Sequence, residues 1–192
     1  DVQVAAVVGA DHVRRRRQRP RRPCGPRNNC RSFSRMGRMQ VTLVTFPETK
    51  VAFIRHRGHP AGEHETARKL IAWKIEHRLL DQMRYRTYGL HYTDPRNVDP
   101  AEHQVDFCLS VDEPVEPNPQ GIGEMTIPSM RCALARDIGS RLDNKAAQYL
   151  FDVWLPQSGE QVDSRPLVFH YVNVGPNVKD HEAITDVYLP IK

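Results

Sequence analysis

What this chain lacks narrows its chemistry first. No apolar run in its 192 residues approaches the ~18 to 20 that a membrane helix needs. The apolar opening, residues 1–10, is followed by positive charge rather than preceded by it, unlike a secretory signal. The four cysteines, Cys24, Cys30, Cys108 and Cys132, include no Cys-x-x-Cys pair. Neither a zinc knuckle nor a redox dithiol is supported, and reduced thiols in a cytoplasmic protein are expected. A Gly-x-Ser-x-Gly elbow and a phosphate-cradling glycine loop are missing as well. His56, His59 and His64 crowd one segment, yet His64-Glu65 is followed by Thr66, Ala67 and Arg68, so the His-Glu-x-x-His pattern of zinc proteases fails. With Gly58, Pro60 and Gly62 interspersed, that segment reads as a strand-to-helix loop. No metal and no cofactor is expected.

Charge is plentiful but lopsided. Residues 1–38 hold eleven arginines against Asp1 and Asp11, a net of +9 in a chain whose total is +5, so residues 39–192 carry −4. That body is not a nucleic-acid surface, which would need clustered cations on the fold itself. Residues 1–38 have few large apolar residues and no period, and are expected to be a disordered basic tail. Such a tail serves as an electrostatic arm for nucleic acid, as a solvated linker, or as sequence upstream of a start at Met36 or Met39.

From Met39 the pattern becomes regular. "VTLVTF" and "KVAFIR" predict strands around a bend at Pro47-Glu48. "GEHETARKLIAWKIEHRLL" predicts a helix with Ala67, Leu70, Ile71, Ile75 and Leu79 as its apolar stripe. "YRTYGLHYT" and "QVDFCLSV" predict a strand pair across a turn-rich link. The order then recurs: "MRCALARDI" as a strand, "DNKAAQYLFDVWLP" as a helix capped by Asp143 and stopped by Pro156, then "PLVFHYVNV" and "ITDVYLPI" as strands. His91-Tyr92 is matched with His170-Tyr171, Glu102 with Glu182 and Asp106 with Asp186. Histidines and acids recurring this way are expected to be scaffold, the acids as turn caps. The expected architecture is α+β: two duplicated βαββ halves, about 39–111 and 128–192, joined by a connector over 112–127. A βαββ unit covers one sheet face only, so the halves would meet through a pseudo-two-fold and leave a cleft between them.

The segments "HYTDPRNVDPAEHQVD", "WLPQSG", "RPLVFHYVNVGP" and "TDVYLPI", in that order, make residues 39–192 similar to the GyrI-like small-molecule-binding domain, the bacterial effector-binding domain of AraC- and MerR-type regulators. The resemblance implies a duplicated βαββ fold whose cleft takes hydrophobic, often cationic or planar compounds. Members of that family occur fused to helix-turn-helix domains, as stand-alone proteins resembling the gyrase-inhibitory protein, and as hydrolases of reactive natural products. One position departs from the pattern. The family often carries an acid two residues before the tyrosine of the penultimate strand, where this chain has Phe169. A phenylalanine there offers stacking and cation–π attraction of about 1 to 2 kcal/mol.

Alternation along the strand puts Leu167, Phe169 and Tyr171 on one face. The repeat assigns Tyr88, Leu90 and Tyr92 to the matching face of the first half, and Trp154 and Tyr188 complete a ligand-binding set. The same aromatics would serve equally as core packing. Three functions follow. The first is an effector- or drug-binding module of a transcription regulator or a stand-alone protein, not itself an enzyme. The second is a hydrolase of electrophilic natural products using the same cleft, and the third a gyrase-inhibitor-type protein contact. The partners implied are a small hydrophobic or cationic ligand, DNA only through a fused or lost helix-turn-helix region, a second copy as a homodimer, and no membrane.

Overall fold

The computed structural model describes residues 38–94, 97–141 and 143–192; apart from Arg38, the basic tail lies outside the described residues. Two long extended stretches run through the molecule, each interrupted once. β1 (Val41–Phe46) and β2 (Thr49–Arg57) are separated by Pro47-Glu48 alone, and β5 (Gly123–Ile127) and β6 (Met130–Ile138) by Pro128-Ser129. β1 pairs antiparallel with β6 from Val41↔Ala135 to Phe46↔Met130, and β2 continues on β5 from Thr49↔Ile127 in the same register. A proline has no N–H to give the ladder, and both breaks fall at prolines. β5 is thus formed by the last five residues of the segment expected to be a connector.

β3 (Thr87–His91), β4 (Gln104–Ser110), β7 (Leu167–Tyr171) and β8 (Ile184–Pro190) complete one antiparallel sheet in the order β1-β6-β8-β7-β3-β4-β2-β5. β1 and β2 stand far apart in that order yet only two residues apart in the chain, so the sheet curls until its ends meet. Its inner face is filled by one core that includes Phe46, Tyr88, Leu90, Cys108, Met130 and Val168. The Phe46 ring meets Tyr88 edge-on at 5.8 Å and Tyr188 at 5.1 Å. Such edge-to-face contacts add about 0.5–1.5 kcal/mol beyond the area they bury.

The outer face carries the helices, which makes the fold α+β. α1 (Glu63–Glu76) packs Leu70 and Trp73 on Ala52, Ile54 and Leu109. This corrects the expected stripe: Ile75 is 53% exposed, and the buried line runs through Glu63, Leu70 and Trp73. A second helical stretch places Ala146 and Leu150 on Ala133, Ala135, Val187 and Leu189. It begins as α2 (Lys145–Tyr149), widens into a π-helical segment (Leu150–Trp154) and ends as α3 (Leu155–Ser158). Its cap is Asn144, whose Oδ1 accepts from Ala147 N–H at 2.9 Å, not Asp143. Nor does Pro156 stop it. Lacking an N–H, Pro156 leaves the carbonyl four residues back without its helical donor, and the wider turn just upstream absorbs the misfit. The helix ends instead at Gly159, whose φ of +75° is the left-handed cap that a side chain would resist.

Two expectations about the repeated polar residues also fail. Asp106 and Asp186 are not turn caps. Each accepts a bidentate arginine from the neighbouring strand, Arg55 to Asp106 at 2.7 and 2.7 Å and Arg136 to Asp186 at 2.6 and 2.8 Å. Glu182 does cap its 3-10 turn, accepting from Lys179 N–H at 3.3 Å. The match of His91 with His170 also fails, because the two side chains lie on opposite faces of the sheet. β3 pairs with β7 through Thr87↔Tyr171, Gly89↔Phe169 and His91↔Leu167. Cross-strand partners share a face, so His91 lies on the outer face and His170 on the inner one.

Candidate functional site

The middle of the outer face, between the two helices, is where β3 and β7 meet. Gly89 sits opposite Phe169, and its lack of a side chain shapes the site. A Cβ there would lie 2.6 Å from Tyr171 Oη and 3.0 Å from His91 Nε2. The bare backbone lets the Tyr171 ring lie across β3, with its hydroxyl 3.3 Å from His91 Nε2. Phe169 stacks at 4.2 Å on His91, tilted by 36°, and meets Tyr171 edge-on at 6.3 Å. Phe169 and Tyr171 are buried, while His91, Leu167, Trp154 and Val174 around them are half-buried. Desolvation, then the neighbouring His103, push His91 down to about 3, so its imidazole is neutral.

A polar array approaches from the first half. Glu63, in the first turn of α1, is 1% exposed, and its Oε1 is 2.7 Å from Nε2 of the fully buried His103. His103 Nδ1 lies 3.1 Å from Thr93 Oγ1, which accepts Gln104 N–H at 3.0 Å. Burial raises the Glu63 carboxyl to about 8, so at neutral pH it holds its proton. Glu63 Oε2 is buried with no hydrogen-bond partner. The helix start that holds Glu63 in place is itself braced by histidines. His56 Nδ1 is 2.9 Å from Thr66 Oγ1, and its ring lies so close under Gly62 that a Cβ there would stand 3.1 Å from Cε1. His59 Nδ1 accepts from Ala61 N–H at 3.1 Å, and His64 Nδ1 is 2.8 Å from Ala61 O. The histidine-rich segment is loop scaffolding.

From the second half comes a cation. The Arg141 guanidinium lies 5.2 Å from the Tyr171 ring centroid and donates through Nη2 to the Asn173 carbonyl, while its Nε is buried without a partner. Burial is the main cause that drives the Tyr171 hydroxyl far above its ordinary range; Glu63 adds to the rise and Arg141 opposes it. The two side chains therefore act on one phenol with opposite signs.

The eight residues expected to line a cleft separate into two groups. Phe169, Tyr171, Leu167 and Trp154 come together on the outer face. Tyr88, Leu90 and Tyr188 belong to the inner core, because Tyr88 pairs with His170 and Leu90 with Val168. Tyr92 stands at the inner-face rim, donating to Asp106 Oδ2 at 3.0 Å under the Arg55 guanidinium. Gly89, His91, Glu63, His103 and Arg141 were not singled out as site residues. His91 had a usable signal: with the repeat aligned on Asp106 and Asp186, His91 falls opposite Tyr171. Glu63 and Arg141 had none.

Comparison with known proteins bears on the same region. The model of the GyrI-like small molecule binding domain matches residues 39–192. The chain is 32% identical over 154 residues to the probable transcriptional regulator YgiV of Escherichia coli (strain K12), covering 80% of this chain and 96% of that one. In the EcmrR–DNA complex solved by cryo-EM, the EcmrR chain superposes with a TM-score of 0.66 at 15% identity over 83% of this chain and 59% of that one. The EcmrR C-terminal domain alone gives 0.61 at 15%, covering 80% and 98%. A hydrolase from Listeria innocua gives 0.57 at 13% identity over 82% and 94%. At these identities the solved structures establish a shared fold. The match spans about three fifths of the longer EcmrR chain. Among the described residues, no helix is long and apolar enough to cross a membrane.

Proposed function

The chain belongs to the GyrI-like small-molecule-binding family, and we propose that it is the effector-capturing module of a transcription regulator or of a stand-alone relative. Its ligand is an apolar, planar molecule held on the rings of Phe169, Tyr171 and His91 at the β3–β7 seam. The observation that carries this reading is the glycine at position 89. A sheet centre packed only for stability has no need of a bare backbone under a tyrosine and a histidine, whereas a stacking platform does. The half-buried Trp154, Leu167 and Val174 provide its rim. Since Trp154 comes from the π-helical segment, the rim is built from a turn with fewer ideal hydrogen bonds than its surroundings.

Internal duplication with a pseudo-two-fold is part of the proposal. The strand order supports it, since mapping β1–β4 onto β5–β8 and reversing the order returns the same arrangement. The paired bridges Arg55–Asp106 and Arg136–Asp186 support it too. DNA contact, as in the EcmrR–DNA complex, would then come from a helix-turn-helix region outside residues 39–192, and a homodimer would align two such modules on one site. The sensor outranks the hydrolase because β7 carries Phe169 where a catalytic acid would stand.

A ligand that binds only the folded state stabilises it by about 2.7 kcal/mol at a hundredfold excess over Kd. Planar aromatic compounds are therefore expected to raise the thermal midpoint by several degrees, and Tyr171→Ala to abolish the rise. A chemically diverse planar set at millimolar concentration that leaves the midpoint unmoved removes the proposal.

A further inference from the structure

The aromatic platform is closed. Phe169 is 5% exposed and Tyr171 7%, so a flat molecule reaches their faces only if something at the rim moves. Gln82, in the turn that follows α1, spans the two halves at that rim. It donates through Nε2 to the Val174 carbonyl and accepts the Val174 N–H through Oε1 at 3.3 Å. Val174 in turn packs against the cluster that holds Phe169 and Tyr171. The Gln82 amide thus pairs with a backbone unit of the other half as a neighbouring strand would, and it does so beside the platform.

The turn that carries Gln82 is held at its ends and loose between them. α1 closes with Leu79 N–H donating to the Lys74 carbonyl and Arg78 N–H to the Ile75 carbonyl, both at 3.0 Å. That closure puts Arg78 in the left-handed region, at φ +56°, where glycine is the ordinary occupant. Leu79 and Tyr85 pack on the core under α1, and Arg84 Nε donates to Asp112 Oδ2 at 2.6 Å. Between these anchors the Leu80 and Met83 side chains are exposed, so the turn has little apolar contact to lose when it swings. Across from it Asn173 is fixed, its Nδ2 donating to the Glu182 carbonyl at 2.8 Å and its Oδ1 accepting Ile184 N–H at 2.7 Å. We infer that the turn over residues 80–83 is a latch on the β3–β7 seam: a planar ligand enters when the Gln82 amide lets go of Val174 and is enclosed when it returns. The inference rests on the cleft reading above and adds how that cleft is gated. Water competes for both exposed hydrogen bonds, which makes the latch easy to open and quick to re-form.

The test uses the full chain and N-phenyl-1-naphthylamine, a neutral fluorescent arene, mixed by stopped flow. Gln82→Ala is expected to raise the association and dissociation rate constants together by about two- to tenfold, the span that one modest hydrogen-bonded pair commands, with Kd nearly unchanged. Unmoved rates overturn the latch while leaving the cleft reading in place. A rise in dissociation alone also overturns it, because it marks Gln82 as a ligand contact. Hydrogen exchange on the ligand-free protein tests the latch without a probe. Gln82→Ala should speed exchange at Val174 and also at Tyr85 and Val178, whose amides bond to the Asp81 carbonyl at 2.7 Å and the Gly175 carbonyl at 3.3 Å rather than to Gln82. Acceleration confined to Val174 overturns the latch. Absence of probe binding to either protein counts against the cleft reading and not the latch, which the exchange pattern then decides. Gln82 is exposed, so its truncation leaves the core intact.

Discussion

The two halves of the sheet, β3-β4-β2-β5 and β7-β8-β6-β1, differ in the side chains they mount more than in their strand layout. In the first, Gly58 N–H donates to the His103 carbonyl at 2.9 Å, and in the second Gly139 N–H donates to the Ala183 carbonyl at 2.9 Å. Thr93 Oγ1 accepts from Gln104 N–H where Asn173 Oδ1 accepts from Ile184 N–H. Those corresponding hydrogen bonds keep the strand ends alike. The side chains then diverge: His103 in one half stands where the other has the small, buried Ala183, and His91 stands where the other has Tyr171. Half one mounts an acid and two imidazoles, and half two mounts a phenol and a guanidinium. These backbone and turn bonds thus have counterparts in both halves, while the groups facing the seam differ in kind.

Breaking the framework first should give the largest effect. Arg55→Ala leaves the fully buried Asp106 carboxylate with the Tyr92 hydroxyl at 3.0 Å but no cation, whereas Arg136→Ala leaves Asp186, which keeps some exposure and has His170 4.0 Å away. Because Arg55 is itself partly solvated, its loss is expected to cost about 3 kcal/mol, the low end for a broken buried pair, and the loss of Arg136 about half that. Urea unfolding of both variants decides it, and equal losses would mean that the halves are energetically equivalent.

Next is Gly89→Ala, which drives a methyl group into Tyr171 Oη and is expected to cost about 2 kcal/mol, within the range for overpacking. At about 2–4 °C per kcal/mol for a chain of this size, the thermal midpoint should fall by several degrees, and ligand-induced stabilisation should disappear with it. A variant that retains full ligand response would show that Tyr171 does not need to lie across β3.

The smallest effect is expected from Glu63→Gln at pH 5, where one neutral side chain replaces another. Its signature is in the pH dependence. The folded pKa of about 8 lies above the unfolded value of about 4.3, so the native state holds the proton more tightly. Glu63 thus contributes stability below about pH 4.3 that is lost as pH rises through about 8. His91, depressed to about 3, works the other way and loses its contribution on acidification below about 6.5. Thermal midpoints between pH 5 and 8.5 should decline less steeply in the variant than in the parent protein. Parallel curves would place the Glu63 proton elsewhere.

Much of this was legible in the sequence, and the failures have physical causes. β7 was readable because "LVFHY" alternates, which correctly put Leu167, Phe169 and Tyr171 together. β3 was placed but turned over. Matching the two His-Tyr dipeptides equates His91 with His170, which lie on opposite faces, so Tyr88 and Leu90 were assigned to the seam instead of the inner core. Matching Asp106 with Asp186 would have set His91 against Tyr171 instead, but a buried Arg–Asp bridge and a turn-capping acid look the same in one dimension. Glu63 was hidden for a similar reason, because an acid in a first helical turn ordinarily faces water beside the helix dipole. Nothing local distinguishes the one that turns inward.

The proline-interrupted stretches have one further consequence. Since β1 pairs with β6 and β2 with β5, each half is completed by a strand it does not own. Neither could close its sheet alone, and either in isolation would present raw backbone edges inviting aggregation. The same interlacing ties the molecule together opposite the aromatic seam like a stitched spine, so the sheet forms one body that cannot come apart into two.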